Sequence, residues 1–171
     1  TRLALMLRER EAQFRAVVQG VRNYAIFTID VRGVISSWQA GAALMKGYSA
    51  DEAIGMPFER LFTAEERAAN QPKREMELAA RTGEYKGEGL RVRRDGSTFD
   101  AAVVLTALRG PKGQLLGYLK LTQDITERKQ AEEALRLSEE RFRTLVTASQ
   151  QSVWAIDPEG DMIALSNSVL G

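Results

Sequence analysis

Apolar residues recur along the first 21 positions at alternating spacings of four and three. Leu3, Leu7, Arg10, Phe14, Val17 and Val21 occupy this seam, and only Arg10 is polar. The spacing predicts an amphipathic helix over 1–21. That helix either pairs with a second helix or packs on its own domain. The period then shortens. Tyr24 to Ile29 is β-branched and aromatic, Asp30-Val31-Arg32-Gly33 reads as a turn, and Val34 to Trp38 returns. Together they predict a hairpin of two short strands.

The middle of the chain reads as short helices. Gly41 to Lys46 is one, stopped by Gly47. Ser49 with Glu52, and Thr63 with Glu66, have capping-box spacing: a hydroxyl for the free N–H groups and a carboxylate three residues on. Gly55 and Pro57 close the first of these helices. The second runs to about Arg81 and stops at Gly83, with Pro72 predicting a kink or a break. Strands then resume. Glu88 to Arg94 puts Leu90 and Val92 on one face and Arg91 and Arg93 on the other. Asp95-Gly96 is a hairpin signal, Thr98 to Leu108 is the partner strand, Gly110-Pro111-Lys112-Gly113 turns, and Gln114 to Gln123 is the last strand. The order β-β-α-α-α-β-β-β is that of an α+β fold.

From Ile125 the pattern is helical again. Arg128, Ala131, Leu135, Ser138, Phe142 and Leu145 alternate three and four apart among Glu, Lys and Arg. This is a solvated helix with a thin apolar seam, suited to pairing. The end of the chain also repeats its beginning. Phe14-Arg15-Ala16-Val17-Val18 resembles Phe142-Arg143-Thr144-Leu145-Val146, and Ala25 to Gly33 resembles Val153 to Gly160 with a one-residue slip. A second copy of the module is therefore expected to start near residue 139 and to be cut off at Gly171. The expected organisation is a helix at 1–21, a domain at 22–125, a linker helix at 126–150 and the start of a second domain at 151–171. A lone hairpin is marginal in water, so the 153–166 segment is expected to join a sheet edge of another chain or a dimer contact.

Composition narrows the function. At 44% hydrophobic and 27% charged, the chain can form a packed core. A net charge of +1 without a single-sign tract argues against nucleic acid as a partner. No apolar run approaches membrane-spanning length, so no membrane is expected in this segment and a cytoplasmic location is expected. The first residue is Thr1, so the chain is expected to be a piece of a longer protein. There is no Cys and no His. Disulfides, thiolate catalysis, iron–sulfur clusters, Ser-His-Asp constellations and a phospho-accepting His are excluded on that ground. Glu52, Glu65 and Glu66 are explained by capping, so no catalytic residue and no metal ligand is assigned, and an enzyme is not expected.

Five segments in order resemble the PAS family in its bacterial sensory-box form. They are Ile29-Asp30 with Gly33; Val34 to Ala42 with Trp38 and Gln39; Gly47-Tyr48 to Glu52 with Ile54-Gly55; Arg93-Arg94-Asp95-Gly96-Ser97; and Asp124-Ile125-Thr126-Glu127-Arg128. The resemblance covers about residues 12–128, and Gln39 departs from it where the family usually has Asn. It implies a five-stranded antiparallel sheet of order 2-1-5-4-3 with the short helices on one face, enclosing a pocket. Phe27, Ile29, Val103, Leu105 and Tyr118 would point into that pocket. Ile26, Leu90, Val92, Leu119 and Leu121 would point to the helix side, where the N-terminal helix packs on the sheet or meets a second subunit.

The resemblance also tests cofactors. In the light-sensing LOV class, the flavin-linked Cys position falls on Phe58, and the amides that grip the flavin fall on Arg91, Ala101 and Thr122. Gln123 lies one residue off and should face the other side. LOV photochemistry is thus excluded, as is a His-ligated haem. Tyr85 stands where redox flavin members carry a Trp, which leaves a non-covalent flavin open. Arg91 and Arg93 are candidates for a small carboxylate or phosphate, with Lys120 on the face of Thr122 adding charge. Against this stands a reading in which they are solvated or paired with a nearby Glu, for instance Glu88. Trp38 either closes one end of the core or stacks on a planar ligand. The candidate pocket is Phe27, Ile29, Trp38, Phe58, Arg91, Arg93, Val103, Tyr118 and Thr122.

At the exit, Asp124 or Thr126 can cap the linker helix. The resemblance implies that Asp124, Ile125 and Thr126 also tie this helix to the sheet, the Asp through a nearby Arg or Lys. Leu3, Leu7, Phe14, Val17, Val21, Leu135, Phe142 and Leu145 are the candidate homodimer seam. The function implied is a sensory module of a multidomain signalling protein with a downstream effector such as a histidine kinase. The alternative is a ligand-free scaffold for protein–protein contact.

Overall fold

The computed structural model describes residues 1–20, 23–151, 153–156 and 158–165, with side chains for 1–13, 23–149 and 158–161. Phe14, Val17 and Val21 of the expected seam lie outside the described side chains. Two compact units divide at Thr126 and Glu127.

The first unit opens with α1, Arg2–Gly20, as the seam predicts. β1, Tyr24–Ile29, and β2, Ile35–Trp38, form the hairpin. Its turn is held by Asp30, whose Oδ1 accepts from the backbone N–H of Arg32 at 2.9 Å and of Val34 at 3.0 Å. These bonds, that of Val34 foremost, hold the Asp30 carboxyl below its usual range. α2, Ala40–Lys46, ends on Gly47 at φ 81°, the left-handed cap that glycine adopts without strain. Gly41 has a steric role: a Cβ there would sit 2.4 Å from the Tyr24 carbonyl oxygen. α3, Ala50–Ala53, is capped by Ser49, which accepts from Glu52 N–H. A short 3-10 helix follows at Phe58–Leu61.

The helix expected from Thr63 to Arg81 is two helices. α4, Ala64–Ala68, carries the complete Thr63–Glu66 capping box, and α5, Gln71–Thr82, starts afresh. The break lies at Asn70, at φ 62°, and Pro72 sits in the first turn of α5, where its missing N–H costs nothing.

β3, Glu84–Val92, begins four residues earlier than expected and excludes Arg93 and Arg94. Its Gly and Glu content hides a strand whose pairing with β4 runs from Glu84–Thr106 to Val92–Thr98. β4 is Thr98–Arg109 and β5 is Leu115–Asp124. The five strands are antiparallel in the order β2-β1-β5-β4-β3, as the resemblance implied. Phe27, Ile29, Val103, Leu105 and Tyr118 all face the helices and are buried. On the opposite face Leu90 and Leu119 are exposed, and so are the described side chains of α1. Covering of that face by α1 is therefore not seen for residues 1–13.

The second unit contains α6, Thr126–Gln151, whose first residue still belongs to the first unit, and a hairpin of β6, Val153–Ile156, with β7, Met162–Leu165. The two strands pair antiparallel from Val153–Leu165 to Ile156–Met162. The side chains of its strands, and residue 166, lie outside the described residues.

A buried ion cluster and a helix junction

Alternation along β3 and β5 turns three long cationic or polar side chains toward the helices. Arg91, Lys120 and Thr122 are each at most 2% exposed. Lys120 pairs in register with Phe27 and Leu105, and Thr122 with Ala25 and Val103, so both lie mid-sheet. Such cations persist in a core only with partners. The partners come from α4 and α5. Arg91 Nη2 donates to Glu75 Oε1 at 2.7 Å, and Nη1 donates to both Glu66 oxygens at 3.1 and 3.2 Å. Lys120 Nζ donates to the other Glu75 oxygen. Glu75 is itself fully buried and also accepts from Gln71, which donates to the Tyr85 hydroxyl at 3.2 Å as well. The Arg91 guanidinium stacks 4.0 Å above the Phe62 ring, adding a cation–π contact.

Arg91 is thus paired with Glu66 and Glu75, whereas Glu88 lies on the exposed face of β3. Arg91 and Arg93 also part company. Arg93 lies beyond the strand and is about 29% exposed. Its Nε donates to the Met45 carbonyl at 3.0 Å, its Nη2 to Asp124 Oδ2 at 3.0 Å, and its guanidinium lies 4.4 Å from the Phe99 ring centroid.

Two residues of the interior escaped the sequence reading. Lys46 on α2 is 1% exposed, its ammonium 5.2 Å from the Phe99 centroid and 5.8 Å from that of Phe27. Among the described residues it has no ion-pair or hydrogen-bond partner. Burial, with Lys120, Arg91 and Arg93 nearby, pushes its amine well below the usual lysine range. Burial likewise brings Lys120 down to about 8, against the opposing pull of Glu75. The other missed residue is Glu75. A signal was present for both: Lys46 follows Ala42 by four, and Glu75 lies between Pro72 and Ala79 at spacings of three and four, so each charge sits on the apolar stripe of its helix.

The aromatic candidates divide by role. Trp38 lies 5.0 Å from Phe27, ring to ring, and its Nε1 donates to the Tyr48 carbonyl at 2.9 Å, so it closes one end of the core. Phe58 meets Phe62 edge-on at 5.4 Å, where the LOV class would carry its Cys. A groove of about 550 Å³ opens between α5 and the β1–β2 turn, with Phe58, Met76 and Tyr118 among its lining. Gln123 lies one position along β5 from buried Thr122 and is less buried, in keeping with the expected alternation.

At the exit, Asp124 is the cap: its Oδ1 accepts from Thr126 N–H at 3.0 Å and Thr126 Oγ1 at 2.7 Å. Thr126 Oγ1 in turn accepts from Asp100 N–H at 3.1 Å, and Ile125 is buried with its N–H on the Asp100 carbonyl. The cation expected opposite Asp124 is Arg93. Among the described residues no group of His, Cys, Asp and Glu could hold a metal ion, and no helix is long and apolar enough to cross a membrane.

The family model of the PAS fold matches residues 12–125. The chain is 40% identical over 134 residues to two-component system protein A of Emericella nidulans, covering 78% of this chain and 20% of that protein. It is 30% identical over 109 residues to phytochrome C of Arabidopsis thaliana, covering 61% of this chain and 10% of that one. It thus spans a fifth or less of these relatives. Among solved structures, the PAS domain of a Colwellia psychrerythraea protein superposes with a TM-score of 0.62 at 25% identity, over 71% of this chain and 98% of that one. A sensory box histidine kinase/response regulator from Burkholderia thailandensis gives 0.59 at 21%, over 77% and 98%. With the sheet order, the capped exit helix and the family match in agreement, the chain belongs to the PAS family and is a sensory domain of that fold.

Proposed function

We propose that this domain is the regulatory module of a multidomain signalling protein and passes its state to an effector, such as a kinase, through paired linker helices. The observation that carries this reading is the Arg93–Asp124–Thr126 chain of hydrogen bonds. It joins the C-terminal end of α2, through the Met45 carbonyl, to the first turn of α6. A change in core packing that moves α2 pulls on Arg93 and alters the cap of the exit helix. Paired helices have few discrete registers, so a small displacement becomes a switch. Pairing is supported by the bare apolar seam: Leu3, Leu7, Leu135, Phe142 and Leu145 are 56–71% exposed. The likeness of the 142–146 and 153–160 segments to the start of the domain supports a tandem array.

The test is Asp124→Ala in the full-length parent. Loss of signal dependence with an unchanged fold supports the relay, whereas normal output overturns it. Sedimentation of Phe142→Glu tests the pairing; an unaltered mass relative to the parent chain counts against it. A scaffold without ligand is the second reading, favoured by one observation: Glu75 already occupies the space between Arg91 and Lys120.

A further inference from the structure

Among the buried ionisable side chains that are described, Lys46 alone lacks a counterion. It closes the last turn of α2. β1 and β4 present aromatic rings to it, Phe27 at 5.8 Å and Phe99 at 5.2 Å from Nζ. The charged groups that face it are Lys120 on β5, Arg91 on β3, Arg93 just past β3 and Glu75 on α5. Three of these four are cations, and Glu75 is already paired with Arg91 and Lys120. A proton on Nζ thus meets burial and like charge, which the two rings offset only in part. Burial foremost, then the three cations, pushes the amine well below the usual lysine range. The chain has no His and no Cys, so no side chain in its ordinary range changes charge between the carboxylates and the tyrosines.

The same turn of α2 holds the residues that lead to the exit helix. The Lys46 carbonyl accepts from Arg94 N–H at 2.9 Å, and the Met45 carbonyl accepts from Arg93 Nε at 3.0 Å. Gly47 passes so near that a Cβ there would lie 3.4 Å from the Arg94 Cβ. Phe99 serves both cations, since the Arg93 guanidinium lies 4.4 Å from its centroid. Arg93 Nη2 then donates to Asp124 Oδ2, on the residue that caps α6.

We propose that Lys46 is a proton switch for the exit helix: uptake of a proton at Nζ drives the end of α2 outward and takes Arg93 off Asp124. The proposal rests on the reading of the Asp124 junction as the exit of the signal, and it adds the regulation of that junction. With a neutral amine, Lys46 fills the apolar space between two rings and Arg93 bridges Met45 and Asp124. As pH falls, the amine gains a proton and moves toward water, because no carboxylate is left to receive it. The Met45 and Lys46 carbonyls move with it, Arg93 loses its Met45 acceptor, and Asp124 holds the first turn of α6 without its cation.

The test is an NMR titration of the full chain from about pH 6 to 10, following Lys46 Cε and the Thr126 amide. Lys46 Cε should titrate well below the usual lysine range, and the Thr126 amide should shift with the same midpoint. Lys46→Met, which keeps the apolar stem, should abolish the Thr126 transition and leave that of Lys120. Phe99→Leu, which keeps Lys46 and removes the shared ring, should reduce it. A Lys46 that titrates in the usual lysine range, or takes up no proton across the titration, overturns the proposal, and that measurement needs no variant. So does a Thr126 amide that does not follow Lys46, or whose transition survives in Lys46→Met. The relay is judged separately, by output of Asp124→Ala in the full-length parent, so either can fail alone.

Discussion

Two ion networks leave the end of β3, and they differ in how much water they keep. Arg91 is 2% exposed and shares a fully buried Glu75 with Lys120. Arg93, two residues on, pairs with Asp124 while both stay about 28–29% exposed. In the first network each charge depends on its partner, because desolvation has already been spent and no water can replace a lost acceptor. In the second, water can substitute, so the pair can break and re-form at little cost. The first network therefore resists rearrangement, whereas the second can exchange its partners with water.

The largest effect that can break this contrast is Glu75→Ala. It strands Lys120 in the core, leaves Arg91 only Glu66, and should lower stability by about 3–5 kcal/mol, read by urea unfolding. A loss as small as that at an exposed pair would mean that water reaches the cluster. Next comes pH. The folded-state value of Lys120 is depressed to about 8 and that of Lys46 lies below the usual 10.5, so the unfolded chain binds more protons in this window. Stability should therefore rise from about pH 8 toward 10.0, by up to about 1.4 kcal/mol per unit for each lysine. Above that, Tyr85 and Tyr118, raised by burial from 10.0, hold protons in the folded state and oppose the rise. Lys46→Met should flatten the rise; a flat profile in the parent chain would place water in the core. The smallest effect is at the junction. Asp124→Ala removes a cap and a half-exposed pair and should cost about 1 kcal/mol, measured by the same unfolding curves. A cost near that of Glu75→Ala would make the junction part of the rigid core.

Most of the architecture was legible before any coordinates. The hairpin signals at Gly33, Gly96 and Gly113, the capping boxes and the alternation of Phe27, Ile29, Val103 and Leu105 are local features, and local features survive folding. The errors were local conflicts resolved elsewhere. β3 starts at Glu84 because β4 offers a pairing edge, although Gly87 and Gly89 weaken the strand pattern. Pro72 begins a helix because Asn70 takes the left-handed turn before it. The site was legible only in part. The family positions and strand alternation single out Arg91 and Thr122, which are buried, and left the cap open between Asp124 and Thr126, of which Asp124 accepts from the helix. Glu75 and Lys46 were missed, although each stood as a charge on an apolar helical stripe.

By itself, then, the sequence determined the strand order through its resemblance, the inward face of the sheet through its period of two, and the absence of Cys and His chemistry through composition. Only the tertiary structure decided which carboxylate meets which cation. Glu75 lies 16 residues from Arg91 and 45 from Lys120, and Arg93 lies 31 from Asp124. No spacing rule reaches so far, since such pairs exist only after the helices close over the sheet and water leaves the space between them.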